Sequence, residues 1–117
     1  MIVRNHRFRG RNSVLRALKR GRVIRGAYFS LKLADKPADK PWRAAVVVSK
    51  KVHKSAVVRN RIRRRLYEQL RLRGETTPFE SDIIIIVYSE RVAIMPTSDL
   101  VEALENLIQQ DHHEPKA

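Results

Sequence analysis

KKVHKSAVVRNRIRRR, the stretch from Lys50 to Arg65, carries eight basic side chains and no acidic one. Val57, Val58, Ile62 and Leu66 run through it at a spacing that lines one side of a helix. That side suits a core, while the other is densely positive. Like charges three or four residues apart on a helix repel by roughly 0.2–0.5 kcal/mol per pair. A solvated surface has no use for so much charge of one sign, whereas a polyanion laid against it removes the repulsion. The stretch therefore predicts an anchored helix that faces RNA.

The rest of the composition agrees. The chain has 117 residues and is 43% hydrophobic, enough for one small domain with a modest core. Lys and Arg number 25 against 12 Asp and Glu, a formal charge of +13, which points first to nucleic acid. No apolar run approaches membrane-spanning length, so no membrane partner is expected. Met1-Ile2-Val3-Arg4 is not followed by an apolar signal core, and Cys is absent. Both features fit a cytoplasmic protein without disulfides or thiolate metal sites. The four histidines show no metal-ligand spacing and are expected at the surface. Charge is also uneven along the chain. No acid precedes Asp35, whereas ten acids follow Arg65. The first half is built to meet phosphate and the second to support it.

Working outward in both directions gives the elements. Residues 1–12 read as a basic arm, in which Phe8 is either a buried anchor or an aromatic lying along a nucleotide chain. Ser13 caps a helix from Val14 to Lys19 or Arg20, with Val14, Leu15 and Leu18 apolar and Gly21 beyond its end. Arg22 to Leu33 reads as extended with a break near Gly26. There Phe29, Leu31 and Leu33 alternate with Ser30 and Lys32, and Tyr28 falls on the Lys32 side. The Ala44–Val48 run predicts a strand in an interior position. Ser55 is a candidate cap for the basic helix, which is expected to end before Gly74. Asp82 to Tyr88 is a strand covered on both faces. A last helix follows Pro96, capped by Asp99 with Glu102 or by Thr97 or Ser98, and striped with Leu100, Leu104, Leu107 and Ile108. Residues 111–117 are expected to fray. The order is α-β-β-β-α-β-α, a single-domain α+β sandwich on a mixed sheet.

Ser49-Lys50-Lys51, followed by Arg59-Asn60-Arg61 and then Arg63, Arg64 and Glu68, resembles the protein subunit of bacterial ribonuclease P. The resemblance spans nearly the whole chain, through Arg7, Gly21, Phe29, Asp82 before the Ile-rich strand, and Leu104 with Leu107. It departs at Val14 and Leu18, where Phe is usual, and at Ala45, where Gly is usual. Val52–Val58 is one residue longer than the common form, with His53 in place of Gly, and Tyr88 replaces a frequent Arg. The resemblance implies a fold related to the ribosomal protein S5 domain 2, with a left-handed β-α-β crossover holding the basic helix. It also implies two partners, the ribonuclease P catalytic RNA and precursor tRNA, and no obligate protein partner. The family's cleft between the first helix and the sheet holds the single-stranded 5′ leader.

Site residues come from both readings. Arg59, Arg61, Arg63, Arg64 and Arg65 are phosphate-contact candidates, because the planar guanidinium fork matches phosphate and stays charged. Lys54 and Asn60 join them on the catalytic-RNA side, although Asn60 can equally serve the helix's first turn. For the leader the candidates are Phe8, Arg11, Val14, Leu18, Tyr28, Phe29, Lys32, Lys50 and Lys51. Alternation puts Phe29 in the core, and the resemblance puts it near the cleft floor. No residue constellation can hydrolyse a phosphodiester alone, and Asp82 reads as a turn or ion-pair residue. The resemblance assigns chemistry to divalent ions, Mg2+, held mainly by the RNA, with no organic cofactor. Alternative readings are a ribosomal or other structural RNA-binding protein, a DNA regulator whose arginine-crowded helix would discriminate bases poorly, and an autonomous nuclease.

Overall fold

The computed structural model describes residues 6–8 and 10–113, with backbone only for 10–12, 20 and 111–113. The elements are α1 (Gly10–Arg20), β1 (Arg22–Arg25), β2 (Phe29–Asp35), β3 (Ala44–Val48), α2 (Ala56–Thr76), β4 (Ser81–Val87), a 3-10 turn (Glu90–Ala93) and α3 (Thr97–His113). They form the expected α-β-β-β-α-β-α order around one four-stranded sheet, β1-β2-β4-β3. β2 is antiparallel to both β1 and β4, while β3 and β4 are parallel and joined through α2.

Alternation along the strands sends two sets of side chains to opposite faces. Ile24, Phe29, Leu31, Leu33, Val46, Val48, Ile83, Ile85 and Val87 meet Ile62, Leu66 and Leu70 of α2 and Leu100, Leu104, Leu107 and Ile108 of α3 in the main core. The other face carries a smaller cluster of Ala17, Ala34, Ala45 and Ile84, flanked by Phe8, Val14, Leu18 and Ile86. Among the described residues α1 is therefore the one helix on its side of the sheet, with small residues beneath it. At its end Gly21 abuts β2, where a Cβ would lie 2.6 Å from Lys32 Cγ.

Several boundaries differ from the sequence expectation. β3 is an edge strand, so the apolarity of Ala44–Val48 reflects cover on both faces rather than a neighbour on each side. α1 starts at Gly10, not after Ser13, which makes the last three residues of the expected arm helical. Arg7 forms an isolated parallel bridge with Ala44. The stripe of α1 is Val14, Ala17 and Leu18, and Leu15 points outward. α2 runs through Gly74 to Thr76. Gly74 does not end the helix; it makes room for Trp42, whose Cζ2 would lie 2.3 Å from an added Cβ. α3 begins at Thr97, which leaves Asp99 in the first turn rather than at the cap, and it continues to His113. Residues 1–5, 9 and 114–117 of the expected arm and tail lie outside the described residues.

Candidate nucleic-acid interface

The first turn of α2 is fixed by a local network. Ser55 has extended backbone and its Oγ accepts from the Val58 amide at 3.5 Å. His53 Nδ1 accepts from the Ser55 amide at 3.0 Å. Arg59 folds back, its Nη1 donating to the carbonyls of His53 and Lys54 at 2.9 Å each. His53, expected at the surface, is thus half-buried and part of the helix start. Lys50 and Lys51 sit past the end of β3, in a turn closed by the Val52 amide on the Ser49 carbonyl at 3.1 Å. Strand alternation does not govern them there, and both are exposed.

The arginines that look alike in sequence then separate. Arg65 turns inward and donates to the carbonyls of Val92, at 2.7 Å, and Met95, which clamps α2 to the 3-10 turn and to the loop leading into α3. Its guanidinium is thus engaged by two loop carbonyls of this protein. Arg63 bridges Asn60 Oδ1 at 2.6 Å and the Val48 carbonyl at 3.4 Å, so Asn60 acts as acceptor for a neighbouring arginine. Arg61 and Arg64 are exposed, and no partner engages them among the described residues. Lys54 is exposed as well.

Further along α2 the charge is internally neutralised. Arg71 pairs with Glu68 and with Glu75, the latter at 2.9 Å, and Arg73 pairs with Glu105 of α3 at 2.6 Å. The hydrogen bond from Arg71 holds the Glu68 carboxyl below its ordinary range, and the same bond raises Arg71. The unpaired positive charge of the helix is thus concentrated in its N-terminal half.

On the α1 face, register brings Ser30, Lys32 and Ala34 of β2 beside Ile86, Ile84 and Asp82 of β4, with Ala45 and Val47 of β3 next in line. α1 covers the alanine end and leaves Val47 exposed and Lys32 half-buried. Phe8, Val14 and Leu18 pack half-buried around that small cluster, and Lys32 is half-buried on the same face of the sheet. Arg11 belongs to α1, but its side chain lies outside the described ones. Phe29 and Tyr28 do not join the group. Phe29 is 1% exposed in the main core on the opposite face. Tyr28 packs against that same core, because the chain bends at Ala27 and Tyr28 and ends the alternation that would have set it beside Lys32.

Two features went unread in the sequence. Arg43 donates to Asp82 from its amide (2.9 Å) and from its guanidinium (2.8 and 3.3 Å), while the guanidinium also lies 4.5 Å over the Phe8 ring. Asp82, 1% exposed, is thereby a satisfied ion-pair residue. Trp42 is 5% exposed, with His6 stacked on it at 3.9 Å and Phe79 edge-on at 5.0 Å. Both contacts join residues about 36 positions apart, beyond any local pattern. Among the described residues, no group of three His, Asp or Glu side chains could hold a metal ion, and no helix is long and apolar enough to cross a membrane.

Fold and surface define a basic α+β protein with the charge of an RNA binder. A family model described as Ribonuclease P matches residues 2–111. The ribonuclease P protein component of Synechococcus sp. (strain WH7803) is 35% identical over 113 residues, covering 96% of this chain and 85% of that protein. The RNase P protein from Thermotoga maritima superposes with a TM-score of 0.76 at 25% identity, over 89% of this chain and 96% of that one. The Staphylococcus aureus RNase P protein shares the fold with a TM-score of 0.77, at 24% identity over 91% and 94% of the two chains. The chain belongs to the ribonuclease P protein component family. In that family the protein is the non-catalytic subunit of a ribonucleoprotein that matures tRNA.

Proposed function

We propose that the N-terminal half of α2 meets the catalytic RNA through Arg61 and Arg64, assisted by Arg63, Lys54, Lys50 and Lys51. The groove between α1 and the sheet takes the single-stranded 5′ leader of precursor tRNA along Phe8, Val14, Leu18 and Lys32. The observation that supports this is the pair of exposed, uncommitted guanidinium groups on a helix whose other arginines already hold the fold. Aliphatic groove walls at Val14 and Leu18 supply contact without base stacking, which elsewhere contributes roughly 1–3 kcal/mol per base. The protein screens phosphate repulsion and holds the leader in place. Divalent ions such as Mg2+, held mainly by the RNA, would supply water activation; Asp82, the one buried carboxylate among the described residues, is engaged by Arg43. The work requires no organic cofactor and no further protein, and belongs in the cytoplasm with precursor tRNA.

Reconstitution with the catalytic RNA tests this assignment. Precursor tRNA should bind more tightly than mature tRNA, and Lys32→Ala should narrow that difference while leaving catalytic-RNA affinity intact. Arg61→Glu with Arg64→Glu should weaken assembly itself. Equal binding of precursor and mature tRNA would favour a purely structural RNA-binding role.

A further inference from the structure

A cleft of about 430 Å³ opens at the C-terminal end of α2, roughly 15–20 Å along the helix from Arg61 and Arg64. Its size falls within the range of small-ligand sites, about 300–1,000 Å³. Trp42, pressed against Gly74, forms its floor. The His6 ring lies on the indole at 3.9 Å with 16° between planes, and Phe79 meets it edge-on. His6 Nδ1 stands 2.6 Å from the Trp42 carbonyl. A carbonyl can only accept, so Nδ1 carries the proton and Nε2 is the ring's remaining polar atom. The Trp42 indole N–H has no acceptor among the described residues, and it is open to solvent, since no buried side-chain N or O among them lacks a partner.

Cations stand at the rim. Lys36 Nζ donates to the Lys40 carbonyl at 2.8 Å and to the Pro37 carbonyl at 3.4 Å, which uses two of its three N–H groups and holds the third at the rim, and Lys40 is exposed. Arg71 and Glu75 also line the cleft, but they pair with each other, and Arg71 with Glu68 as well, so the open charge at the rim is that of the lysines. Flat ring surface beside fixed positive charge is the chemistry that takes a base and its phosphate together. A metal ion would be repelled by the lysines, and an acidic peptide would leave the rings unused.

We propose that this cleft is a second RNA contact that holds one unpaired nucleotide, with its base against His6 and Phe79 and its phosphate against Lys36 and Lys40. It does not depend on how α2 and the α1 groove divide the other RNA contacts.

Trp42 is the one tryptophan of the chain, so its fluorescence reports on this cleft. The full chain is titrated with a single-stranded RNA hexanucleotide, an abasic hexamer of equal charge, and inorganic phosphate. The expected result is saturable quenching by the hexanucleotide, about tenfold weaker for the abasic strand, the size expected when one stacked base is lost. Lys36→Glu and Lys40→Glu should each weaken the quench by a similar factor. Lys40 joins the loop through backbone groups, its amide on the Pro37 carbonyl and its own carbonyl under Lys36 Nζ, so Lys40→Glu keeps the test valid if Lys36→Glu fails to fold. No quench in the unaltered protein, equal response to the abasic strand or phosphate, or a quench that survives Lys40→Glu would each overturn the proposal. Leader-dependent binding is a separate readout, so the two assignments stand or fall independently.

Discussion

What an arginine on α2 can do depends on what its guanidinium already touches. Arg65 satisfies two carbonyls of the segment after β4, and its truncation strands both. Arg65→Ala should therefore lower stability by about 1–3 kcal/mol, the cost of leaving buried polar groups unpaired. Arg64 has no partner among the described residues, so Arg64→Ala should stay within about 0.5 kcal/mol of the parent. Its effect should appear instead in RNA binding, with a salt slope reduced by about one. Urea unfolding beside a salt-dependent RNA titration separates the two, and the same loss in both assays for both variants would contradict the division. Glu68 is a third case. Its carboxyl is held below the ordinary range by the Arg71 hydrogen bond. A depressed folded pKa contributes stability above the unfolded value and loses it as pH falls through the folded one. NMR titration of the Glu68 carboxyl should give a midpoint below that of an ordinary glutamate, and Arg71→Gln should move it back up.

At the scale of elements, α2 shows why a residue type alone can mislead. A glycine late in an apolar, basic pattern reads as a helix stop, yet Gly74 lies inside the helix against Trp42. Gly74→Ala adds helix propensity of about 1 kcal/mol, but it forces a methyl onto the indole. Overpacking should dominate, with a net loss of about 1–2 kcal/mol and a shift in Trp42 emission. A stabilised variant with unchanged emission would show that the indole moves aside freely. The same contrast explains what could be read from sequence. The Ile83–Val87 strand, the Leu100–Ile108 stripe and the basic helix rest on periodicities of two and 3.6, which the sequence displays directly. The edge position of β3, the inward turn of Arg65 and the pairing of Arg43 with Asp82 depend on residues far apart in sequence. Tyr28 leaves the Lys32 side because a two-residue bend resets alternation. The cation-rich half of the interface was legible because charge density is a compositional property. Which of its arginines are free is a property of packing.

Across the whole molecule, a charge of +13 is held together by ion pairs that lie mostly on one half. Glu68, Glu75, Glu105 and Asp82 neutralise Arg71, Arg73 and Arg43, while Arg61, Arg64, Lys50, Lys51 and Lys54 keep their charge in the open. That imbalance disfavours the compact state until anions occupy the exposed cluster. Sulfate binding the folded form at ten times its Kd should add about 1.4 kcal/mol, a rise of roughly 5 °C in Tm for a domain of this size. Chloride at matched ionic strength screens the same repulsion without occupying a site, so it should give clearly less. Arg61→Glu with Arg64→Glu should abolish the difference between the two salts, because it removes both the repulsion and the fork that binds the anion. If sulfate and chloride act alike on the unaltered protein, the exposed cations are merely screened, and the N-terminal half of α2 has no preference for phosphate-like oxygens.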